Sequence, residues 1–371
     1  MIKAFYLYLM QTPQSVTIKD IAKRLGISAS TVSRALRGSA EVNDETKKLV
    51  QELAKELKYT PNPIALSLKE KKTKVLGVIV PEIANYFCSA MIAGIEDYAY
   101  AKGYHVIIFQ SHEKYEREIM NIRLLQSRRI DGLIISVSNE TKNGKHIQEV
   151  IDTGIPVVMF DRICNEVDAP RVVTDDESGA YLATCHLIEQ GYTKIALLAM
   201  APHLSVTQNR IKGYMEALKE HNIPFQKKWV VSCDFDAKNI KKTVERLLKS
   251  RAKPDAILAA AERIAIGSFE VLKAMKLRIP EDVALAGFFD NPISRLIDPP
   301  LTSIQQPTFD IGQSAVRLLI EMIENNSLQH QFKTIELKTT IDIRASSLGC
   351  KPESDSSEKR NTGSRRKHPR A

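Results

Sequence analysis

Two kinds of hydrophobic spacing divide this chain. Near its start the apolar residues recur at helical intervals over short stretches. Ile18, Ile21, Ala22 and Leu25 fall at i, i+3, i+4 and i+7, which is one face of a helix. Thr17 and Asp20 have the spacing of a capping box, and Gly26 follows the last apolar residue, where a left-handed backbone ends a helix. Ser28 is placed to cap a second helix with Val32, Ala35 and Leu36 on its apolar side. Asn43 is placed to cap a third, with Asp44 and Glu45 in its first turn and Leu49, Val50, Leu53, Ala54 and Leu57 as its buried stripe. Three helices this short make a minimal bundle with a thin core.

From Val75 onward, short apolar runs alternate with longer amphipathic ones. The runs at 75–80, 105–109, 132–137, 156–160, 194–199, 255–260 and 282–287 read as buried strands. The stretches 88–102, 115–127, 178–190, 207–221, 238–249 and 264–275 read as helices between them. This alternation predicts α/β units around parallel sheets, and the length is more than one sheet usually organises, so two lobes are expected. LTSIQQP (301–307) reads as a return crossing between lobes, followed by a helix over about 308–324. Between the two regimes, Pro61 and Pro63 break the third helix, and Ile64–Leu68 is too short to be helical unless something holds it.

Charge sharpens this division. The formal charge of +9 is concentrated at the ends: residues 15–72 carry +5 and residues 349–371 carry +4, while 73–348 carry −1. A basic head on a neutral body suits a polyanion partner. The second short helix has the chemistry for one. Its outer face carries Ala29, Ser30, Ser33 and Arg34, with Thr31 beside them. A helix entering a DNA major groove needs such a face: little bulk, hydroxyls for base edges or phosphates, and a guanidinium that can grip guanine.

The ends add less. Residues 1–10 are apolar with one lysine, too short to span a bilayer and without a cleavage site, so they read as a dispensable extension with Met10 a candidate start. The tail from Gly349 is rich in serine and basic residues and is expected to be disordered. The five cysteines show no metal-ligand spacing and read as reduced thiols of a cytoplasmic protein.

The order of motifs, namely helix-turn-helix, YTPNPIALSL, VLGVIVPEIANYF, DGLIIS, GIPVVMFDR, RIKGY, IPEDVALAGF and LTSIQQP, resembles the bacterial transcription regulators of the lac repressor family over about residues 15–346. The resemblance implies an all-α helix-turn-helix head plus a two-lobed α/β core like a periplasmic binding protein. The expected division is an extension (1–14), the head (15–60), a hinge linker (61–74), the core (75–346) and the tail (347–371). Within the core, lobe one takes about 75–174 and 304–335, and lobe two about 175–303 and 336–346.

The resemblance further implies a homodimer, without a membrane partner or cofactor, on pseudo-palindromic double-stranded operator DNA. By its pattern Ala29, Ser30 and Arg34 face base edges, and Ser28, Thr31 and Ser33 contact phosphates. Thr17, Asn43, Tyr59 and Lys69 are further DNA contacts, Asn62 and Ala65 face DNA from the hinge, and Leu68 is a wedge in the central minor groove.

In a two-lobed α/β core, ligands sit at the carboxyl ends of the strands. Asn85, Phe87, Asp161 and Asp290 lie just after predicted strands, Asp176 comes at the next crossover and Arg210 in the SVTQNRIKG run after the first strand of lobe two, and these six are the candidates for a sugar-like or purine-like effector. Phe87, Arg210 and Asp290 supply an aromatic face and charged forks. By resemblance, Arg210 is the best match to a family effector residue. The chain departs from the family pattern at GFFDN (287–291) and at Ala261–Glu262, where the family carries Asn-Asp.

The alternatives are an enzyme and an exported solute-binding protein. The sixteen glycines include no GxG, and HExxH, GxSxG and the phosphate-loop pattern are absent. A solute-binding protein would need an export signal and would not carry a helix-turn-helix.

Overall fold

The computed structural model describes residues 16–60, 72–325 and 333–349, which fall into one unit up to Lys74 and another from Val75. The expected extension, the tail from Cys350 and the linker positions Asn62, Ala65, Leu68 and Lys69 lie outside the described residues.

The head contains α1 (Ile18–Leu25), α2 (Ala29–Leu36) and α3 (Asp44–Glu56). Each helix starts where a polar side chain meets open backbone groups. The Asp20 carboxylate accepts from the Thr17 amide and hydroxyl at 2.8 and 2.7 Å. Ser28 Oγ accepts from the Thr31 amide at 3.0 Å, and Asn43 Oδ1 from the Thr46 amide at 2.7 Å. Gly26 ends α1 at φ 63°, a conformation that favours glycine. Ile21, Val32, Ala35 and Val50 are fully buried at the centre. The expected stripe of α3 needs one correction. Val50 and Ala54 are buried, Leu53 and Leu57 only half-buried, and Leu49 is 50% exposed. So small a bundle closes over one row of α3 and leaves the flanking row at its edge.

The core alternates strand and helix: β1 (Val75–Val80), α4 (Tyr86–Ala101), β2 (His105–Gln110), α5 (Tyr115–Ser127), β3 (Gly132–Ile135), α6 (Lys145–Asp152), β4 (Val157–Phe160), β5 (Arg171–Thr174), α7 (Asp176–Glu189), β6 (Ile195–Ala199), α8 (Ser205–Glu220), β7 (Val230–Ser232), α9 (Ala237–Leu248), β8 (Ala256–Ala259), α10 (Glu262–Ala274), β9 (Ala284–Phe288), β10 (Thr302–Gln305), α11 (Thr308–Asn325), β11 (Thr334–Leu337) and β12 (Thr340–Asp342). Lobe one is a six-stranded sheet in the order β11-β5-β4-β3-β1-β2, parallel throughout. Lobe two runs β12-β10-β9-β8-β6-β7, parallel except for the antiparallel edge strand β12.

The chain therefore crosses between lobes three times: after β5, after β10 and after β11. LTSIQQP is both β10 and the second crossing. Asp175 joins the first crossing to the third, accepting from the Thr339 amide at 2.6 Å and pairing with Lys338 at 3.2 Å. Gln306 in the second donates to Thr174 in the first at 3.0 Å. Close helix pairs cover one face of each sheet. A Cβ on Gly312 of α11 would stand 2.0 Å from the Met91 carbonyl oxygen of α4, and one on Gly213 of α8 2.0 Å from that of Glu177 on α7. Ser346 and Ser347, at the border of the expected tail, are buried. Cys88, Cys164, Cys185 and Cys233 are free thiols. Among the described residues no helix is long and apolar enough to cross a membrane.

Candidate ligand cleft and nucleic-acid interface

On the head, α2 buries Val32 and Ala35 and leaves Ser28, Ser30 and Arg34 in solvent, with Ala29, Thr31 and Ser33 half-buried beside them. The hydroxyls of Ser28, Ser30 and Thr31 form one cluster, with Ser28 Oγ 2.7 and 2.8 Å from the other two. Arg34 is 53% exposed and pairs with Glu41 at 3.1 Å. Arg37, which the sequence reading passed over, donates to the Ser33 carbonyl and hydroxyl at 3.0 and 3.3 Å. Thr17 and Asn43 cap helices, as above. Tyr59 lies half-buried against the head's core, and burial raises its phenol above the usual range.

In the second unit, side chains leave the carboxyl ends of eight strands and converge on a cleft between the lobes, about 580 Å³ including its solvent-open mouth. Lobe one contributes Glu82 and Asn85 after β1, Glu113 after β2, and Asp161 and Arg162 after β4. Lobe two contributes Met200 after β6, Phe235 after β7, Glu262 and Arg263 after β8, Asp290 after β9 and Gln306 after β10. Phe87, Arg210 and Phe288 complete the walls.

Of the six expected effector residues, Asn85, Phe87, Asp161, Arg210 and Asp290 line this cleft. Asn85 caps α4, its Oδ1 accepting from the Cys88 amide at 2.7 Å. Asp161 is buried at φ 56°, takes a hydrogen bond from Ser136 at 3.1 Å, and is pushed up to about 6 by burial. Asp290 accepts from Thr308 at 3.3 Å, and burial raises it too.

Asp176 is the exception. It does not line the cleft but lies behind it, holding Arg210 at 2.6 and 2.9 Å. Arg210 also donates to the Ala260 carbonyl and stacks on the Phe288 ring, 3.7 Å from its centroid. Its planar fork is fixed by a carboxylate, a carbonyl and a ring together.

Glu82, Glu113, Phe235 and Arg263 were absent from the sequence reading. Glu113 grips Arg162 at 2.8 and 3.1 Å. Glu262, noted there only as a departure from the family pattern, reaches across the cleft from lobe two. It accepts from the Phe87 amide of lobe one at 3.3 Å and from Asn291 Nδ2 at 3.0 Å.

Comparison with known proteins gives these two surfaces a common context. Residues 17–62 match the family model described as bacterial regulatory proteins, lacI family. Residues 73–344 match periplasmic binding proteins and sugar binding domain of LacI family. The chain is 32% identical to the ribose operon repressor of Haemophilus influenzae, over 90% of this chain and 99% of that one. It is also 32% identical to the HTH-type transcriptional repressor PurR of Vibrio vulnificus, over 88% and 97%. It superimposes on the lac repressor dimer bound to operator and the anti-inducer ONPF with a TM-score of 0.78 at 25% identity, covering 91% of this chain and all of that one. The chain belongs to the LacI family of bacterial transcription regulators.

Proposed function

We propose that this regulator binds a pseudo-palindromic operator as a homodimer and represses transcription, with its operator affinity set by a sugar-like or purine-like molecule in the cleft. A sugar occurs in the name of one relative, the ribose operon repressor, and both relatives are named as repressors. The observation that carries the reading is the convergence of charged and aromatic side chains from both lobes on one cleft, in a chain that also presents the polar face of α2.

In this reading Arg34 is the main base reader and Ser30 supports it, with Ala29 small enough to let the helix approach the groove. Ser28, Thr31 and Ser33 position the helix on phosphates. Asn85, Phe87, Asp161, Arg210 and Asp290 hold the effector, while Asp176 orients Arg210. The protein acts by binding rather than by catalysing a reaction. A ligand that touches both lobes favours one lobe arrangement, and it shifts the DNA-binding equilibrium only by its difference in affinity for the two states.

The test is selection of bound DNA from a random pool by the full chain, with and without a panel of sugars and nucleobases. The expected result is a two-fold-related sequence whose recovery changes with one member of the panel. Recovery of unrelated sequences in every condition would refute the reading.

A further inference from the structure

Glu262 and Asp290 share the cleft with Arg263, which is in no ion pair among the described residues, and with Glu82, whose only ionic partner among them is His112 at 3.6 Å. Arg162 is held by Glu113, and Arg210 by Asp176. Among the described residues, Glu262 and Asp290 have no lysine or arginine nitrogen within 4.0 Å. Burial and the neighbouring charge of Glu262 both push the Asp290 carboxyl upward. Arg295 acts the other way on Asp290 but pairs with Asp342 at 3.6 Å. The guanidinium of Arg263 lies 5.8 Å from the ring centre of Phe235.

The polar groups around these two carboxylates leave them room to accept more. Glu262 takes one hydrogen from the Phe87 amide and one from Asn291. Asp290 takes one from Thr308, on Oδ2 alone. Gln306 gives an amide hydrogen to Thr174. Ala261, next in the wall, offers only a methyl group. This end of the cleft is therefore rich in acceptors, and its two carboxylates outnumber the one cation in the wall beside them, Arg263. A neutral hydroxyl brings one hydrogen and no charge. An ammonium brings three hydrogens and a positive charge, in a site where partial burial strengthens the attraction.

We propose that the cleft takes a polyol bearing a protonated primary amine, an amino sugar or amino polyol, with its ammonium held between Glu262 and Asp290. The inference rests on the reading of the cleft as an effector site and narrows its ligand class. The hydroxyls then face Asp161 and Arg210, and the carbon skeleton packs on Phe87.

Calorimetric titration of the full chain at pH 7 tests this with matched pairs: D-glucosamine against D-glucose, D-galactosamine against D-galactose, and D-mannosamine against D-mannose. The N-acetyl derivatives keep the nitrogen and remove its charge. In at least one set, the amine is expected to bind about tenfold or more tighter than both the hydroxyl and the N-acetyl member. In Glu262→Gln, which keeps an acceptor for the Phe87 and Asn291 donors, and in Asp290→Asn, that advantage falls to about threefold or less.

Equal or tighter binding of the hydroxyl members overturns the ligand class and leaves the cleft reading standing. An amine advantage that persists in both variants overturns the placement. If no member of any pair binds, the inference falls. Operator titration with the wider sugar and nucleobase panel then shows whether the cleft reading falls with it. A cooperative thermal transition in each variant shows that it is folded.

Discussion

The head and the cleft solve the same problem, holding polar side chains ready for a partner, in opposite ways. On the head, Arg34 is more than half exposed and its partner Glu41 lies seven residues away, itself 67% exposed. Ser28, Ser30 and Thr31 bond among themselves within one helical turn. In the cleft, Asp161, Arg162 and Arg210 are at most 9% exposed. Their partners are remote in sequence, Glu113 for Arg162 and both Asp176 and Ala260 for Arg210. An exposed pair contributes little and separates easily, so Arg34 can leave Glu41 for a guanine edge. A buried pair cannot lose one member without leaving a desolvated charge behind. Changes on the head should therefore act on DNA affinity, and changes in the cleft on stability and ligand response together.

The largest expected effect is in the cleft. Arg210→Ala leaves Asp176 buried and unpaired and should destabilise the core by about 3–5 kcal/mol, read from denaturant unfolding of the core transition. An unchanged transition would put that ion pair in the same class as the one on the head. Arg34→Ala should weaken operator binding by about 1–3 kcal/mol and relax specificity at one base per half-site, without moving the core transition. Equal weakening on every operator variant would make Arg34 a phosphate contact.

Asp161 separates the regions by pH. Its carboxyl is raised to about 6, mainly by burial, so the native state binds more protons than the unfolded chain between the unfolded value and about 6. Stability from this group is present below that window and is lost as pH rises through it. Asp161→Asn should thus raise core stability at pH 7.5 by about 1–2 kcal/mol, with the gain shrinking as pH falls below 6. A gain that does not change between pH 7.5 and 4.5 would contradict the burial argument. The smallest effect is at Asn43, whose side chain caps α3. Asn43→Ala should lower head stability by about 1 kcal/mol, seen as an earlier loss of helical signal from the head. A further loss of operator affinity at temperatures where the head stays folded would add a DNA contact to the cap.

The same contrast explains what the sequence made legible. The caps at Ser28 and Asn43, the glycine stop at Gly26 and the outward face of α2 depend on residues within a turn or two of each other. Most buried strands of the core were legible for a related reason, since each is a continuous apolar run. The strands β5, β7, β11 and β12 and the helix α6 were not, because none of these strands holds an apolar run longer than two residues and α6 starts after Gly144 without a side-chain cap.

The cleft lay between these cases. Strand ends and the run after β6 pointed to Asn85, Phe87, Asp161, Arg210 and Asp290, and these five line the cleft. The same rule could not separate Asp176, which faces the back of Arg210, from a residue facing the ligand space. Glu113 follows the short strand end and turn after β2, and its pairing with Arg162, forty-nine residues on, exists only once the sheet order is known. Glu262 was visible as a departure from the family pattern, but its reach to the Phe87 amide depends on how the lobes meet. Leu49 shows the reverse error on the head, where periodicity assigned it to a core too small to cover it.

The link between the two regions is tested most directly by one titration. Fluorescence anisotropy of the selected operator is measured with the full chain at fixed salt, without ligand and with a saturating cleft ligand whose binding has been established by calorimetry. The expected result is a shift in operator Kd of about tenfold, in either direction, within the range of ordinary allosteric coupling. A ligand that fills the cleft and leaves operator Kd unchanged would contradict the claim that the buried site governs the exposed one.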